Sequence, residues 1–236
     1  NEDRIASIVG WDKTLGCIAS TIAVELTAPG HISRNVKLGG KERKIFSVGE
    51  VHGRITPRVK KITNMLNCVD SAAVTNNLWG QRWSKLVVNC MRNPVSAATG
   101  RGGNANDQDE HTRRLAVRLA GEAARIGIAL GYDLGPVYKI DPKLLIAAEQ
   151  GDISAMAKCE ETLLANTGFR NDEQRPSMGQ DMIKGRRTEI DFLNGLIVKK
   201  ASELKLEVPA NVGIVQVVKS IERGEVEANP ETIMHL

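Results

Sequence analysis

Aromatic side chains are scarce in this sequence: Phe, Trp and Tyr make up only 3% of 236 residues. Few flat faces are on offer for stacking bases, and the excess of 32 Lys+Arg over 28 Asp+Glu leaves a net charge of only +4. The densest basic run, Lys184-Gly185-Arg186-Arg187, is flanked by Asp181 and Glu189. No nucleic-acid partner is expected from such a pattern. Long apolar runs are missing too: no stretch approaches the ~18 residues of a membrane span, and the charged start Asn1-Glu2-Asp3-Arg4 has no signal-peptide core behind it. No membrane partner is expected.

The four cysteines, Cys17, Cys68, Cys90 and Cys159, form no CxxC pair and have no histidine at ligand spacing, so neither a zinc site nor a redox motif is expected. Each lies among apolar residues and is expected to be a free, buried thiol in a reducing cytoplasm. The chain begins with Asn rather than Met and is expected to be part of a longer translated product. What remains is ordinary globular composition, with 42% hydrophobic and 25% charged residues. That length supplies one large domain or two modest ones, burying roughly 70% of the unfolded surface.

The first third reads as strand-rich. Cys17 to Thr27, Ile32 to Leu38 and Lys44 to Val48 are apolar or β-branched runs punctuated by Pro29-Gly30, Gly39-Gly40 and Gly49. Pro57 to Leu66 has helical spacing, and one more short strand fits between Asn67 and Thr75. From Asn76 onward the pattern is helical. Asp107-x-x-Glu110 resembles a capping box ahead of Leu115, Leu119, Ala123, Ile126 and Leu130, with an end near Gly131. Further helices are expected over Pro142 to Gln150, Ile153 to Asn166, Ser177 to Lys184, Thr188 to Leu204 and Ala210 to Glu222, with loops at Gly100 to Asn106 and Gly168 to Pro176. Strands followed by helices imply segregated domains, and the sheet edge at Cys17 to Thr27 together with the apolar helices after Asp107 implies a homodimer.

Two segments carry candidate chemistry. Trp79 to Pro94 as a helix has an apolar stripe of Trp79, Trp83, Leu86, Val87 and Cys90, with Lys85, Asn89 and Asn93 at i, i+4 and i+8 on another face. A cation with two carboxamides in line suits a polar substrate, although a solvated lysine and an asparagine at a helix end before Pro94 fit the same spacing. Ser177 to Gly195 places Glu189 in the first turn of a helix starting near Thr188, where the dipole favours a carboxylate. Ser177 fits an N-cap equally well. The histidines His31, His52, His111 and His235 have no matched nucleophile, and neither GxGxxG nor GxxxxGK[ST] occurs.

The segments KLVVNCMRNPVSA at Lys85 to Ala97, RPSMGQDMIKGRRTEIDFLNGLIV at Arg175 to Val198 and VPAN at Val208 to Asn211 resemble the ketopantoate reductase (2-dehydropantoate 2-reductase) family in order and separation. The resemblance implies an α/β remnant of a Rossmann-type NADP-binding domain over residues 1–75, followed by an all-α helical substrate-binding and dimerisation domain over 76–236. It implies NADPH-dependent reduction of 2-dehydropantoate or a related 2-oxo acid, on the route to pantothenate and coenzyme A. Lys85 matches the family's catalytic lysine, Asn89 and Asn93 its substrate-side asparagines and Ser177 a substrate-contacting serine. Glu189 matches its functional glutamate, assigned to catalysis and to cofactor contact.

One departure is large. The family's opening strand, glycine-rich turn and helix have no counterpart in this sequence. A shortened gene and a polypeptide of which this is one part both fit. A second function therefore stands beside the reductase: a non-catalytic helical interaction or dimerisation module left after loss of the cofactor site.

Overall fold

The computed structural model describes residues 2–20, 24–34, 37–41, 43–167 and 175–236. Most of the expected loop at Gly168 to Pro176, and parts of the runs Cys17 to Thr27 and Ile32 to Leu38, lie outside the described residues. The chain divides into two compact units, Asn1–Arg82 and Trp83–Leu236.

In the first unit, α1 (Glu2–Val9) precedes β1 (Leu15–Ala19), β2 (Val24–Ala28), β3 (His31–Arg34), β4 (Phe46–Glu50), α2 (Pro57–Leu66) and β5 (Ala72–Val74). Strand order in the main sheet is β1-β4-β5, antiparallel between β1 and β4 and parallel between β4 and β5, while β2 and β3 form a separate antiparallel pair. The run from Cys17 to Thr27 is thus not one strand, since β1 and β2 belong to different sheets. Burial alternates along β1, which leaves Cys17 on its outer face, and Cys68 is exposed in the turn after α2. The expectation that all four thiols are buried fails for these two and holds for Cys90 and Cys159.

α2 begins as its sequence dictates. Thr56 accepts from Val59 N at 3.3 Å, and Pro57 occupies the first helical position, where a missing N–H costs nothing. Glu50, at the end of β4, is fully buried. Arg58 Nε donates to it at 2.8 Å and the Thr56 hydroxyl at 2.5 Å. The Arg58 hydrogen bond dominates, overcoming the cost of burial, and holds the carboxyl down at about 2 against an ordinary 4.5.

The lowered value fixes the sign of a pH effect. Stability from Glu50 is complete above pH ~4.5 and is lost as pH falls toward about 2. The full shift corresponds to an upper bound of about 3 kcal/mol, reduced because Arg58 is 40% exposed to screening water. Denaturant midpoints read between about pH 6 and pH 3 are expected to fall less steeply in Glu50→Gln than in the unmodified chain. Equal slopes would deny the pair this role.

The second unit is helical. α3 (Leu78–Thr99) enters it and α4 (Gly103–Gln108), α5 (Glu110–Ala129), α6 (Pro142–Glu149), α7 (Ile153–Ala165), α8 (Ser177–Ile183), α9 (Asn194–Leu204) and α10 (Pro209–Glu222) follow. Helix α5 carries the centre of the core, with Leu115, Leu119, Ala123 and Ile126 fully or almost fully buried. Small residues let neighbours approach. A side chain on Gly127 would meet the Trp83 ring at 2.3 Å, and Trp83 Nε1 donates to Ala123 O at 2.8 Å.

Asp141 and Asp152 cap α6 and α7 through Lys143 N and Ala155 N. The capping box at Asp107 is not formed: Asp109 caps α5, accepting from Thr112 N at 3.0 Å, and Asp107 lies inside α4. That short helix occupies half of the expected loop Gly100 to Asn106, because Asp107 is drawn inward by Arg92. No helix among the described residues is long and apolar enough to cross a membrane.

Candidate active site

Helix α3 runs through Pro94 to Thr99, so the asparagine before the proline is not a helix end. Lys85, Asn89 and Asn93 therefore share one face, with about 6 Å of axial rise between successive members. Burial deepens along the row. Lys85 is exposed, Asn89 partly buried and Asn93 only 7% exposed. Arg92, at i+7 from Lys85, lies on the same face and is buried beside Asp107, with its guanidinium 4.5 Å from the Tyr138 ring centroid. The i+7 spacing was legible in the sequence, but the partner fifteen residues away was not.

Ser177 opens α8 as its first residue, behind Pro176, and does not cap it. Asn93 Nδ2 donates to Ser177 Oγ at 3.5 Å, which brings together two of the expected substrate-side residues. Two features hold α8 there. Gly179 has no side chain to collide with Ser96 Oγ, which a Cβ would meet at 2.5 Å, and Arg175 Nε donates to Gly100 O at 3.0 Å.

The helix expected from Thr188 is broken. Glu189 precedes a 3-10 turn over Ile190–Phe192, Leu193 takes φ −103° and ψ −94°, and α9 begins only at Asn194. Long-range ties explain the interruption: Glu222 Oε1 accepts from Thr188 N at 2.6 Å, and Lys219 Nζ pairs with Asp191 at 2.5 Å. That pairing, with Arg187 adding to it, lowers the Asp191 pKa against the cost of burial. Glu189 is thus an exposed residue at a turn, not a first-turn helical acid, and it is not paired with Lys85 among the described residues.

Chemically, the α3 face offers a primary ammonium, two carboxamides and a hydroxyl. These donate to carboxylate and carbonyl oxygens and accept from hydroxyls. At the α2 N-terminus, in the βα turn of the parallel β4–β5 pair, Thr56 caps the helix and the buried Glu50 pairs with Arg58, and the sequence has no GxGxxG for a pyrophosphate.

Comparison with known proteins gives a consistent picture. A family model described as "Ketopantoate reductase PanE/ApbA C terminal" matches residues 77–222. The 2-dehydropantoate 2-reductase of Mesorhizobium japonicum is 30% identical over 221 residues, which is 92% of this chain and 58% of that protein. A PanE/ApbA family ketopantoate reductase from Ralstonia eutropha JMP134 has a TM-score of 0.72 at 22% identity, over 95% of this chain and 64% of that one. D-mandelate dehydrogenase, solved in a ternary structure with NADH and anilino(oxo)acetate, has a TM-score of 0.71 at 19% identity, over 94% and 64%. The two structural likenesses show the fold, a small sheet with mostly helices. The chain spans about half to two thirds of the length of the first curated relatives it matches. It belongs to the ketopantoate reductase family, whose C-terminal domain it carries at residues 77–222.

Proposed function

We propose that the chain acts in the reduction of a 2-oxo acid of the ketopantoate type to its 2-hydroxy acid, with NADPH as the hydride source. The observation that carries this reading is the α3 face, where Lys85 stands in line with Asn89 and with the Asn93–Ser177 pair. As a ketone carbon gains a hydride, negative charge builds on its oxygen, and an ammonium at that oxygen stabilises the charge and delivers the proton. Lys85 is assigned that role.

Asn89, Asn93 and Ser177 are assigned to the substrate carboxylate and hydroxyl, fixing which face of the ketone is presented. Glu189 is assigned to orienting the ammonium or accepting from a substrate hydroxyl. Residues 1–75 are read as the closing part of a Rossmann-type domain, supported by the parallel β4–α2–β5 unit, and residues 76–236 as the helical substrate domain. Glu189 is also assigned to contact with the cofactor, and no residue of 1–75 is assigned to its pyrophosphate, because no GxGxxG occurs there.

The test follows NADPH absorbance in the complete gene product with ketopantoate and a panel of other 2-oxo acids. Turnover of about 1 s⁻¹ or faster with at least one of them is expected. No oxidation of NADPH with any acid would overturn the reductase and leave the non-catalytic helical module.

A further inference from the structure

Pro94 stands inside α3 without an N–H, so the Cys90 carbonyl four residues earlier has no internal partner. A side chain from another helix takes that place. Asn194 Nδ2 donates to Cys90 O at 3.1 Å and to Asn211 Oδ1 at 2.9 Å. Asn211 is itself held, its backbone N and its Nδ2 donating to Glu122 Oε2 at 2.8 and 2.7 Å, while Ala210 N donates to Glu122 Oε1 at 2.9 Å. Nδ2 of Asn211 also reaches Leu119 O at 3.2 Å.

Glu122 on α5 thereby caps the N-terminus of α10, where unpaired N–H groups and the helix dipole favour a carboxylate. Cys90, Asn194, Asn211 and Glu122 are all buried. The result is a continuous buried hydrogen-bonded path from α5 through α10 and α9 to α3. Asn194 Oδ1 has no partner among the described residues, so this amide is held through its two N–H donors alone.

The path ends beside the proposed site. Cys90 directly follows Asn89, Pro94 directly follows Asn93, and Asn194 opens α9 after the turn that Glu189 begins. We infer that Asn194 is a positioning residue: by donating to the carbonyl that Pro94 leaves open, it sets how Lys85, Asn89 and Asn93 stand to the Glu189 turn, a role that rests on the reductase reading above. A helix interrupted by proline can hinge there, and a buried carbonyl with a single available donor selects one arrangement among those hinge positions.

Two substitutions in the complete gene product separate positioning from folding. Pro94→Ala supplies the missing N–H within α3, so Tm is expected to hold or rise. A carbonyl satisfied inside its own helix no longer needs Asn194, and kcat is expected to fall about 10- to 100-fold with KM for NADPH unchanged. A protein that gains stability while losing kcat is an outcome that a merely structural asparagine does not produce.

Asn194→Ala is expected to lower kcat to a similar extent and to speed deuterium exchange of the α3 amides around Pro94. Turnover within twofold of the unmodified protein in both variants overturns the inference while leaving the reductase standing. Absence of turnover in the unmodified protein fails the reductase instead. The exchange measurement then decides the coupling: faster exchange in Asn194→Ala supports it, and unchanged exchange overturns it.

Discussion

Lys85→Ala is expected to lower kcat for the 2-oxo acid by roughly 10²–10⁴-fold, the range that a positioned general acid supplies. The reason lies in where charge appears. Before hydride arrives the ketone oxygen is nearly neutral, so removing the ammonium costs little in binding. In the transition state that oxygen approaches an alkoxide, and the loss is felt in full. The expected signature is a kcat that collapses while KM for the 2-oxo acid changes by only a few-fold.

Lys85→Arg sharpens the assignment. A guanidinium keeps the positive charge on α3 but does not release a proton near neutral pH. If Lys85 both stabilises and protonates the oxygen, arginine recovers part of the kcat lost in Lys85→Ala and still leaves it depressed by more than about tenfold. Steady-state kinetics on the two variants read this directly. Unchanged kcat in Lys85→Ala would return the lysine to the solvated face that its exposure also permits.

Asp107→Ala is expected to be the most damaging change to stability in the helical unit. Arg92 and Asp107 side chains are only 8% and 5% exposed, and Arg92 Nε and Nη2 have no partner among the described residues. Deleting the carboxylate strands a buried cation whose other contact is the face of Tyr138. Breaking a buried pair costs about 3–5 kcal/mol. For a chain of this length that corresponds to a fall in Tm of roughly 6–20 °C.

The companion Arg92→Met/Asp107→Leu variant removes both charges and is expected to recover most of the loss, since the desolvation cost disappears with them. Thermal unfolding of the three proteins distinguishes the outcomes. A single substitution that shifts Tm by less than about 2 °C would mean that water already reaches the guanidinium.

Much of the helical unit was legible in the sequence because its signals are local. The starts expected at Pro142, Ile153 and Ala210 fall within a residue of where α6, α7 and α10 begin, and the period of Leu115, Leu119, Ala123 and Ile126 marks the buried stripe of α5. A cap or a stripe is decided by atoms within four residues of one another. The α3 face of Lys85, Asn89 and Asn93 is of the same kind, a consequence of helical geometry once the helix runs through Pro94.

Local pattern alone therefore determined most of the helices, the family motifs and the side chains sharing the α3 face. Tertiary structure decided what distant groups do to one another. It turned Asp107 from an apparent cap into the partner of Arg92, and it broke the run after Thr188 through Glu222 and Lys219. It also left Cys17 and Cys68 exposed and supplied Asn194 to the carbonyl that Pro94 leaves open. A buried charge or an orphaned carbonyl must find whichever partner the packed chain brings within reach, and periodicity along the sequence carries no information about which residue that is.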